Sequence, residues 1–179
     1  MSSPAAPNPY DLLPPVAPFT LTSTDLVDGE RLPLEQAFDD LGVGGANRSP
    51  QLAWHGHPPE TQGFTVTCFD PDAPTASGFW HWVLVDVPGS VTELPAGAGS
   101  ADGSLLAPGA FHVRNDFGQR AYGGAAPPPG SAPHRYIFAV HALDIPTLGV
   151  DADASPALVG FNLSFHTLGR ATLTALFSR

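Results

Sequence analysis

Polar side chains that could do chemistry stand at the ends of three apolar segments or inside them. Asp70 and Asp72 follow the first segment, and His81 interrupts the second. His134 and Tyr136 open the third. Burying an unpaired carboxylate or imidazole costs free energy or shifts its pKa until the group is neutral, so such groups pair with one another or face a cavity. We therefore expect them to share a pocket at one edge of a sheet.

A glycine-rich loop, Tyr-Gly-Gly-Ala-Ala-Pro-Pro-Pro-Gly at 122–130, would form the other wall of this pocket. Gly123 and Gly124 allow a close approach of the backbone, and their consecutive N–H groups can cradle an anion. With two imidazoles, one or both protonated, such a cradle needs no cluster of Lys or Arg. The loop therefore favours a site for a small anion.

The side chains around this loop receive distinct roles in that hypothesis. His81 and His134 would be charge-tunable donors, Tyr136 a hydroxyl donor, and Asp70 the group that orients an imidazole. Arg135 faces away from its two neighbours in the strand, so we expect it to form an ion pair with one of the aspartates. Anion binding should weaken as the imidazoles lose their protons.

The same side chains also allow an enzyme. Two imidazoles and a carboxylate are a common open metal site, and they could perform acid–base hydrolysis. However, the chain has no Gly-x-Ser-x-Gly, His-Glu-x-x-His or P-loop pattern. A non-enzymatic binding protein without a cofactor is therefore the leading hypothesis, and a metal-dependent or acid–base hydrolase is the alternative.

The charge balance excludes whole classes of partner. The chain carries 17 acidic and seven basic residues, a formal net charge of −10, and all seven basic residues are Arg. Nucleic-acid binding needs clustered Lys and Arg, so it is excluded, and stable docking on an anionic membrane is not expected. An N-terminus without a basic or apolar leader and a single cysteine, Cys68, predict an unexported, cytoplasmic protein.

Periodicity predicts the elements that must position the polar groups. Segments 64–70, 79–87 and 135–143 read as strands, with shorter ones at 19–23 and 52–54. Strict alternation places Trp80, Trp82 and Leu84 on one face of the second strand. The opposite face then carries His81, Val83, Val85 and Val87.

The C-terminal segment predicts a helix that packs on the sheets. Ser155 and Pro156 give an N-cap and a first-turn proline. The residues then recurring at helical spacing are Leu158, Phe161, Phe165, Leu168, Thr172 and Leu176. Gly160 or Gly169 would be the place of a break.

The length of 179 residues suits a single core. Six prolines in residues 1–18 predict an extended arm laid on the surface or partly disordered, and residues 19–179 form one domain.

In chain order, these segments resemble the signature blocks of the phosphatidylethanolamine-binding protein family, above all its bacterial Raf-kinase-inhibitor-like branch. The matching blocks are Ser49-Pro50-Gln51-Leu52-Ala53-Trp54, Asp70-Pro71-Asp72-Ala73-Pro74, Trp80-His81-Trp82, Asn115-Asp116-Phe117-Gly118, Tyr122-Gly123-Gly124 through Pro127-Pro128, and His134-Arg135-Tyr136.

The resemblance implies a mainly β fold, a sandwich of a large and a small mostly antiparallel sheet with a small anion pocket. Its ligand would be phosphate, phosphoethanolamine or a phospholipid headgroup. The resemblance also implies a homodimer and a regulatory or inhibitory role toward a partner protein such as a kinase or protease. Carried over by position, the pocket residues would be Asp70, Asp72, Pro74, His81, Tyr122, Gly123, Gly124, Pro127, His134 and Tyr136.

One departure from the family pattern lies in the pocket loop. Ala125 and Ala126 stand where related sequences commonly show Gly-Pro or Cys-Pro. Their Cβ groups are expected to narrow the pocket or change which N–H points inward.

Overall fold

The computed structural model describes residues 6–179, and its strands form two sheets. The strands are β1 Ala17–Pro18, β2 Thr20–Thr22, β3 Leu52–His55, β4 Gly63–Asp70, β5 Phe79–Pro88, β6 Glu93–Leu94, β7 Phe111–His112, β8 His134–Leu143 and β9 Thr167–Phe177. The helix α1 spans Pro156–His166, and 3-10 turns span Pro9–Leu12 and Leu34–Gln36.

The large sheet has the strand order β1-β9-β8-β4-β5-β7, and the small sheet has the order β2-β3-β6. All neighbouring strands are antiparallel except β1 and β9. The predicted mainly β sandwich of a large and a small sheet with a helix near the C-terminus is therefore confirmed.

Two apolar layers hold this architecture together. The core between the sheets is built around Trp54 of β3, Trp82 of β5 and Phe138 of β8, each at most 2% exposed. A second, smaller layer lies on the outer face of the large sheet, where Val85 packs with Leu163 of α1. Because β4, β5 and β8 are apolar on both faces, they can only be central strands.

A β-bulge decides where His81 points. Cys68 and Phe69 are consecutive in β4, yet they lie opposite Trp82 and Trp80, so His81 is the extra residue in β5. Trp82 faces the small sheet, whereas Trp80 packs on Phe69 on the outer face. Strict alternation, which placed Trp80 and Trp82 together and His81 opposite, is wrong here because it allows no extra residue.

A second bulge near the end of β5 corrects the prediction for Val87. Phe64 pairs with Val87, but Val66 pairs with Leu84, so β5 holds one residue more than β4 in this interval. The extra residue of β5 is accommodated at Asp86, whose φ of 57° is left-handed. Val87 therefore joins Leu84 in the core between the sheets.

The C-terminal segment is a helix for only eleven residues. As predicted, the Ser155 hydroxyl caps α1, accepting a bond from the Leu158 N–H at 3.2 Å. From Thr167 the chain is instead the strand β9, which pairs with β8 along its length. The helical prediction for Leu168, Thr172 and Leu176 is therefore wrong, because the β8 edge offers a full ladder of hydrogen bonds.

The face of α1 that packs on the sheet also differs from the prediction. Val159 and Leu163 are buried against the large sheet. Phe161 and Phe165 remain 61% and 66% exposed and pack on each other. Within residues 6–179, α1 and every other helix is too short or too polar to cross a membrane.

The proline-rich arm covers the outer face of the large sheet. Residues 1–5 lie outside the described part of the chain, and the rest of the arm is partly folded. Its 3-10 turn places the Tyr10 hydroxyl 3.2 Å from Thr67 Oγ1, and Ala17 pairs with Gly169 at the start of β9.

The Asp86 bulge gives a prediction of stability. The Asp86 carboxylate also accepts a hydrogen bond from the Leu148 N–H at 2.7 Å. Asp86→Asn keeps both the left-handed backbone and this bond, so its free energy of unfolding should match the parent's. Asp86→Ala loses the hydrogen bond and puts an alanine in the left-handed conformation. It should therefore lower the free energy of unfolding in urea by about 2 kcal/mol. Equal stability of the two variants would contradict this account of the bulge.

Candidate functional site

A cavity of about 240 Å³ opens at one end of the sandwich, where β4, β5 and β8 meet the glycine-rich loop. The strands supply Asp70, His81 and His134 to it, and apart from Thr75 the remaining lining side chains are apolar. Its lining residues are Leu41, Asp70, Ala73, Pro74, Thr75, Phe79, His81, Phe117, Ala126, Pro127, Pro128 and His134. The cavity therefore brings together the predicted residues Asp70, Pro74, His81, Pro127 and His134.

His81 is tied to the glycine loop by two hydrogen bonds. Its Nδ1 lies 2.8 Å from the Gly123 carbonyl oxygen, and the Gly123 N–H donates to the His81 carbonyl at 2.8 Å. Because a carbonyl only accepts, Nδ1 carries the imidazole proton. Nε2 is left as the ring atom available to the cavity.

Burial keeps the His81 ring neutral at neutral pH. The ring packs against Tyr136 and Phe117, with centroids 5.0 and 5.5 Å away. Desolvation lowers the pKa of His81 to about 4, although its bond to the Gly123 carbonyl opposes the shift. The expected charge-tunable donor is therefore an acceptor in the free protein, because Nε2 presents a lone pair.

His134 is held by Asp70. His134 Nδ1 lies 2.8 Å from Asp70 Oδ2, and both side chains are buried. The Asp72 N–H also donates to Asp70, at 2.8 Å. Burial raises the pKa of the Asp70 carboxyl, and the hydrogen bond to His134 partly offsets that shift. Asp70 thus orients the imidazole as expected, and His134 Nε2 can donate into the cavity only while the ring carries protons on both nitrogens.

Asp72 does not line this cavity and instead forms an ion pair with Arg135. The Arg135 guanidinium donates to both carboxylate oxygens, at 2.7 and 2.8 Å, and its backbone N–H adds a third bond at 3.0 Å. The pair lines an open groove beside the cavity. The structure thus gives Arg135 the expected ion pair, but it does not bring Asp72 to the site.

The glycine loop approaches closely, but its N–H groups are already used. The Gly123 N–H donates to His81, and the Gly124 N–H donates to Asn47 Oδ1 at 2.6 Å. A Cβ at Gly123 would lie 2.5 Å from the Phe117 ring, and one at Gly124 would collide with the backbone of Ala37. The two glycines are required for packing, and the expectation that they cradle an anion is wrong.

The two tyrosines of the prediction lie behind the cavity. Tyr122 is in the core between the sheets, where its hydroxyl donates to the Gln36 carbonyl at 2.7 Å. Tyr136 packs on the His81 ring, and its buried hydroxyl has no hydrogen-bond partner among the described residues. Neither lines the cavity; Tyr136 supports the His81 ring, and Tyr122 packs on Trp82 and Phe138 of the core.

Sequence reasoning missed three groups that shape the site. Phe117 lines the cavity and lies within a matching block from which no pocket residue was predicted. Leu41 also lines the cavity with a left-handed φ of 54°, which no sequence pattern indicates. Arg179 bridges two walls by donating to the Pro127 and Leu41 carbonyls, at 2.6 and 2.7 Å.

The chemistry of the cavity follows from these contacts. His81 presents a lone pair, His134 presents a donor when its ring is doubly protonated, and the surrounding wall is mostly apolar. Within residues 6–179, no group of three His, Cys, Asp or Glu side chains is arranged to hold a metal ion. The arrangement suits a small ligand that carries both an acceptor oxygen and a hydroxyl group.

The Asp72–Arg135 pair gives a prediction of pH-dependent stability. Burial raises the pKa of the Asp72 carboxyl, but the bonds from Arg135 outweigh burial and lower it below its usual value. A lowered folded-state pKa contributes stability above the unfolded value of about 4, and this stability is lost as the pH falls through the folded value. Asp72→Asn should therefore cost about 1–2 kcal/mol at pH 7 in urea unfolding.

The cost of Asp72→Asn should shrink as the pH falls below 4, because the parent carboxylate is protonated first in the unfolded state and then, at its lowered pKa, in the folded state. Asp39→Asn is the matched control, because Asp39 is exposed and makes the same change of charge. A cost that stays constant between pH 7 and pH 3, or equals that of Asp39→Asn, would contradict the assigned pair.

Comparison with known proteins gives one consistent answer. The sequence profile described as phosphatidylethanolamine-binding protein matches residues 22–178. The UPF0098 protein YbhB of Escherichia coli K12 is 53% identical over 159 residues, which cover 88% of this chain and 99% of YbhB. The crystal structure of E. coli YbcL, described as a new member of the mammalian PEBP family, is 45% identical with a TM-score of 0.88.

Coverage supports the same answer. The match to YbcL spans 90% of this chain and 98% of that one. CT736 from Chlamydia trachomatis is only 23% identical, but its TM-score of 0.75 over 90% of this chain and 97% of its own shows the same fold. The chain therefore belongs to the phosphatidylethanolamine-binding protein family.

Proposed function

We propose that the protein is a non-enzymatic binding protein whose cavity takes a phosphate group that still carries one proton. One observation carries the proposal: His81 and His134 line one cavity, with Nδ1 of His81 against a carbonyl and Nδ1 of His134 against a carboxylate. A doubly protonated ring beside the carboxylate donates at Nε2, whereas the neutral ring beside the carbonyl accepts there. A protonated phosphate has both P–O⁻ acceptors and a P–OH donor, so it matches the two imidazoles at once. Membership of the family supports a binding protein of this fold.

The two hydrogen bonds have defined partners in this proposal. A phosphate oxygen accepts from Nε2 of His134, whose charge is supported by Asp70 at Nδ1. The phosphate hydroxyl donates to Nε2 of His81, whose proton is held on Nδ1 by the Gly123 carbonyl. A fully deprotonated phosphate would place an oxygen lone pair against the His81 lone pair, which is repulsive.

The size of the cavity favours a phosphate that carries a short substituent. Drug-sized ligands occupy pockets of about 300–1,000 Å³. The 240 Å³ here is smaller, and its apolar wall includes Phe79 and Phe117. Phosphoethanolamine, free or as a phospholipid headgroup, therefore fits the proposal, with inorganic phosphate as its simplest probe.

Local contacts must supply the attraction, because the net charge of −10 repels an anion. Arg179 is the guanidinium tied to this cavity, because it donates hydrogen bonds to the Pro127 and Leu41 carbonyls of the cavity wall.

We also propose that the chain acts as a homodimer that regulates or inhibits a partner protein such as a kinase or protease. These two features rest on the family resemblance alone.

Asparagine substitutions test the two imidazoles with little disturbance of the fold. An Asn amide can keep the contact made by Nδ1 but has no atom in the place of Nε2. His134→Asn and His81→Asn should each weaken binding of phosphate at pH 6 by about tenfold or more, the loss of one charge-assisted hydrogen bond, in calorimetric titrations.

The matched control is His55→Ala, which removes an exposed imidazole remote from the cavity. It should leave the affinity for phosphate unchanged. Unchanged affinity in both Asn variants, with melting temperatures like the parent's, would reject the site.

The pH dependence below pH 4 separates this site from a cradle of charged histidines, because both lose affinity between pH 6 and pH 8. The second pKa of a phosphate monoester is about 6, so the proton shared with His81 is lost as the pH rises from 6 to 8 and the affinity for phosphoethanolamine should fall. Below pH 4 the affinity should fall again, because His81, with a pKa of about 4, gains a proton and loses its lone pair. Affinity that rises steadily from pH 6 to pH 8 would contradict the proposal.

Turnover and metal content test the hydrolase alternative. Purified protein incubated with phosphoethanolamine should release no inorganic phosphate above a protein-free control, and elemental analysis should find no stoichiometric metal. Release that depends on His134, or one metal ion per chain, would replace the binding protein with an enzyme.

A further inference from the structure

A second cavity, of about 260 Å³, lies on the opposite face of the large sheet from the phosphate site. The proline-rich arm closes it on one side and α1 on the other. Its lining residues are Pro9, Tyr10, Leu13, Pro14, Val16, Phe69, Trp80, His141, Gly160, Leu163, Ser164, Thr167 and Arg170. The strand residues here belong to the outer face, so the sheet separates the two cavities.

Gly160 keeps the α1 wall open. A glycine inside a helix costs about 1 kcal/mol relative to alanine, so it calls for a reason. No positive φ requires it, and an added Cβ would meet no heavy atom within 4 Å. Gly160 lines the cavity together with Leu163 and Ser164 of the next turn.

Arg170 borders this apolar space without an acidic partner. Four of the seven guanidinium groups form ion pairs, with Glu35, Asp72 or Asp153. Arg170 has no carboxylate within 4 Å among the described residues, although acidic residues outnumber basic ones 17 to 7. Its guanidinium lies 5.5 Å from the centre of the Tyr10 ring, and desolvation lowers its pKa.

His141 supplies a second donor beside Arg170. Its side chain is buried, and Arg170 Nε lies 3.5 Å from its Nδ1, so the imidazole proton is on Nε2. Desolvation lowers the pKa of His141 to about 3, with Arg170 adding to the shift, so the ring is neutral. Nε2 makes no hydrogen bond to any residue in the range 6–179. His141 lines the cavity, so a ligand or water there can accept from this N–H.

We propose that this cavity binds a small amphipathic monocarboxylate, with its carboxylate at Arg170 and His141 and its alkyl chain between the arm and α1. A guanidinium and an imidazole N–H next to each other select an anionic acceptor, and the apolar lining selects a chain without further polar groups. An apolar cavity of about 150 Å³ holds benzene, so 260 Å³ suits a ligand of roughly ten non-hydrogen atoms. Octanoate has this size and chemistry.

Octanoate and 1-octanol are the probes, because they share the chain and differ in charge. Trp80 lines the cavity, so its fluorescence reports occupancy. Octanoate should give a saturable change and should bind about tenfold more weakly to Arg170→Gln, which loses a charge-assisted hydrogen bond. The affinity for 1-octanol should change less than twofold. Arg31→Gln is the matched control, because Arg31 loses the same charge while stacked on Phe177, away from the cavity.

A filling variant tests the location independently of charge. Gly160→Leu should abolish the binding of both probes and leave the fold intact, because leucine favours the helix and occupies free space. Phosphate affinity should be unchanged in Gly160→Leu, and octanoate affinity should be unchanged in His134→Asn. The result at one site therefore does not depend on the result at the other. The proposal is overturned by non-saturable octanoate titrations, by equal losses in Arg170→Gln and Arg31→Gln, or by full octanoate binding to folded Gly160→Leu.

Discussion

The site depends on the reciprocal hydrogen bonds between His81 and Gly123. One bond joins the imidazole to the Gly123 carbonyl, and the other joins the Gly123 N–H to the His81 carbonyl, both at 2.8 Å. Together they fix the glycine loop on β5 and decide which ring nitrogen carries the proton. They form only because the bulge in β5 turns His81 to the same side as Trp82, beneath the Tyr136 ring.

This arrangement would let a chain of net charge −10 hold the proposed anion. A cluster of cations is unnecessary when one buried imidazole is kept neutral and the other is held by a carboxylate. Asp70 gives His134 its orientation, and aromatic rings pack around His81. The same logic applies on the outer face of the sheet, where burial keeps His141 neutral beside Arg170.

Much of the fold could be predicted from sequence, and the misses have physical causes. Period-two alternation found β4 and β8, but it cannot reveal the bulge in β5, where apolar residues occupy both faces. Residues four apart satisfy both the helical and the strand period, so the sequence from Leu168 to Leu176 was ambiguous until pairing with β8 decided it. The glycines were recognised, but the use of the Gly124 N–H depends on Asn47, a residue distant in sequence.

The proton positions of His81 and His134 are the central claim, and NMR of the ¹⁵N-labelled imidazoles measures them directly. The account predicts that His81 in the free protein stays neutral from pH 5 to pH 8 with its proton on Nδ1, because its pKa is about 4. Added phosphate at pH 6 should then shift Nε2 of both rings. A His81 that titrates near pH 6.5, or carries its proton on Nε2, would contradict the account.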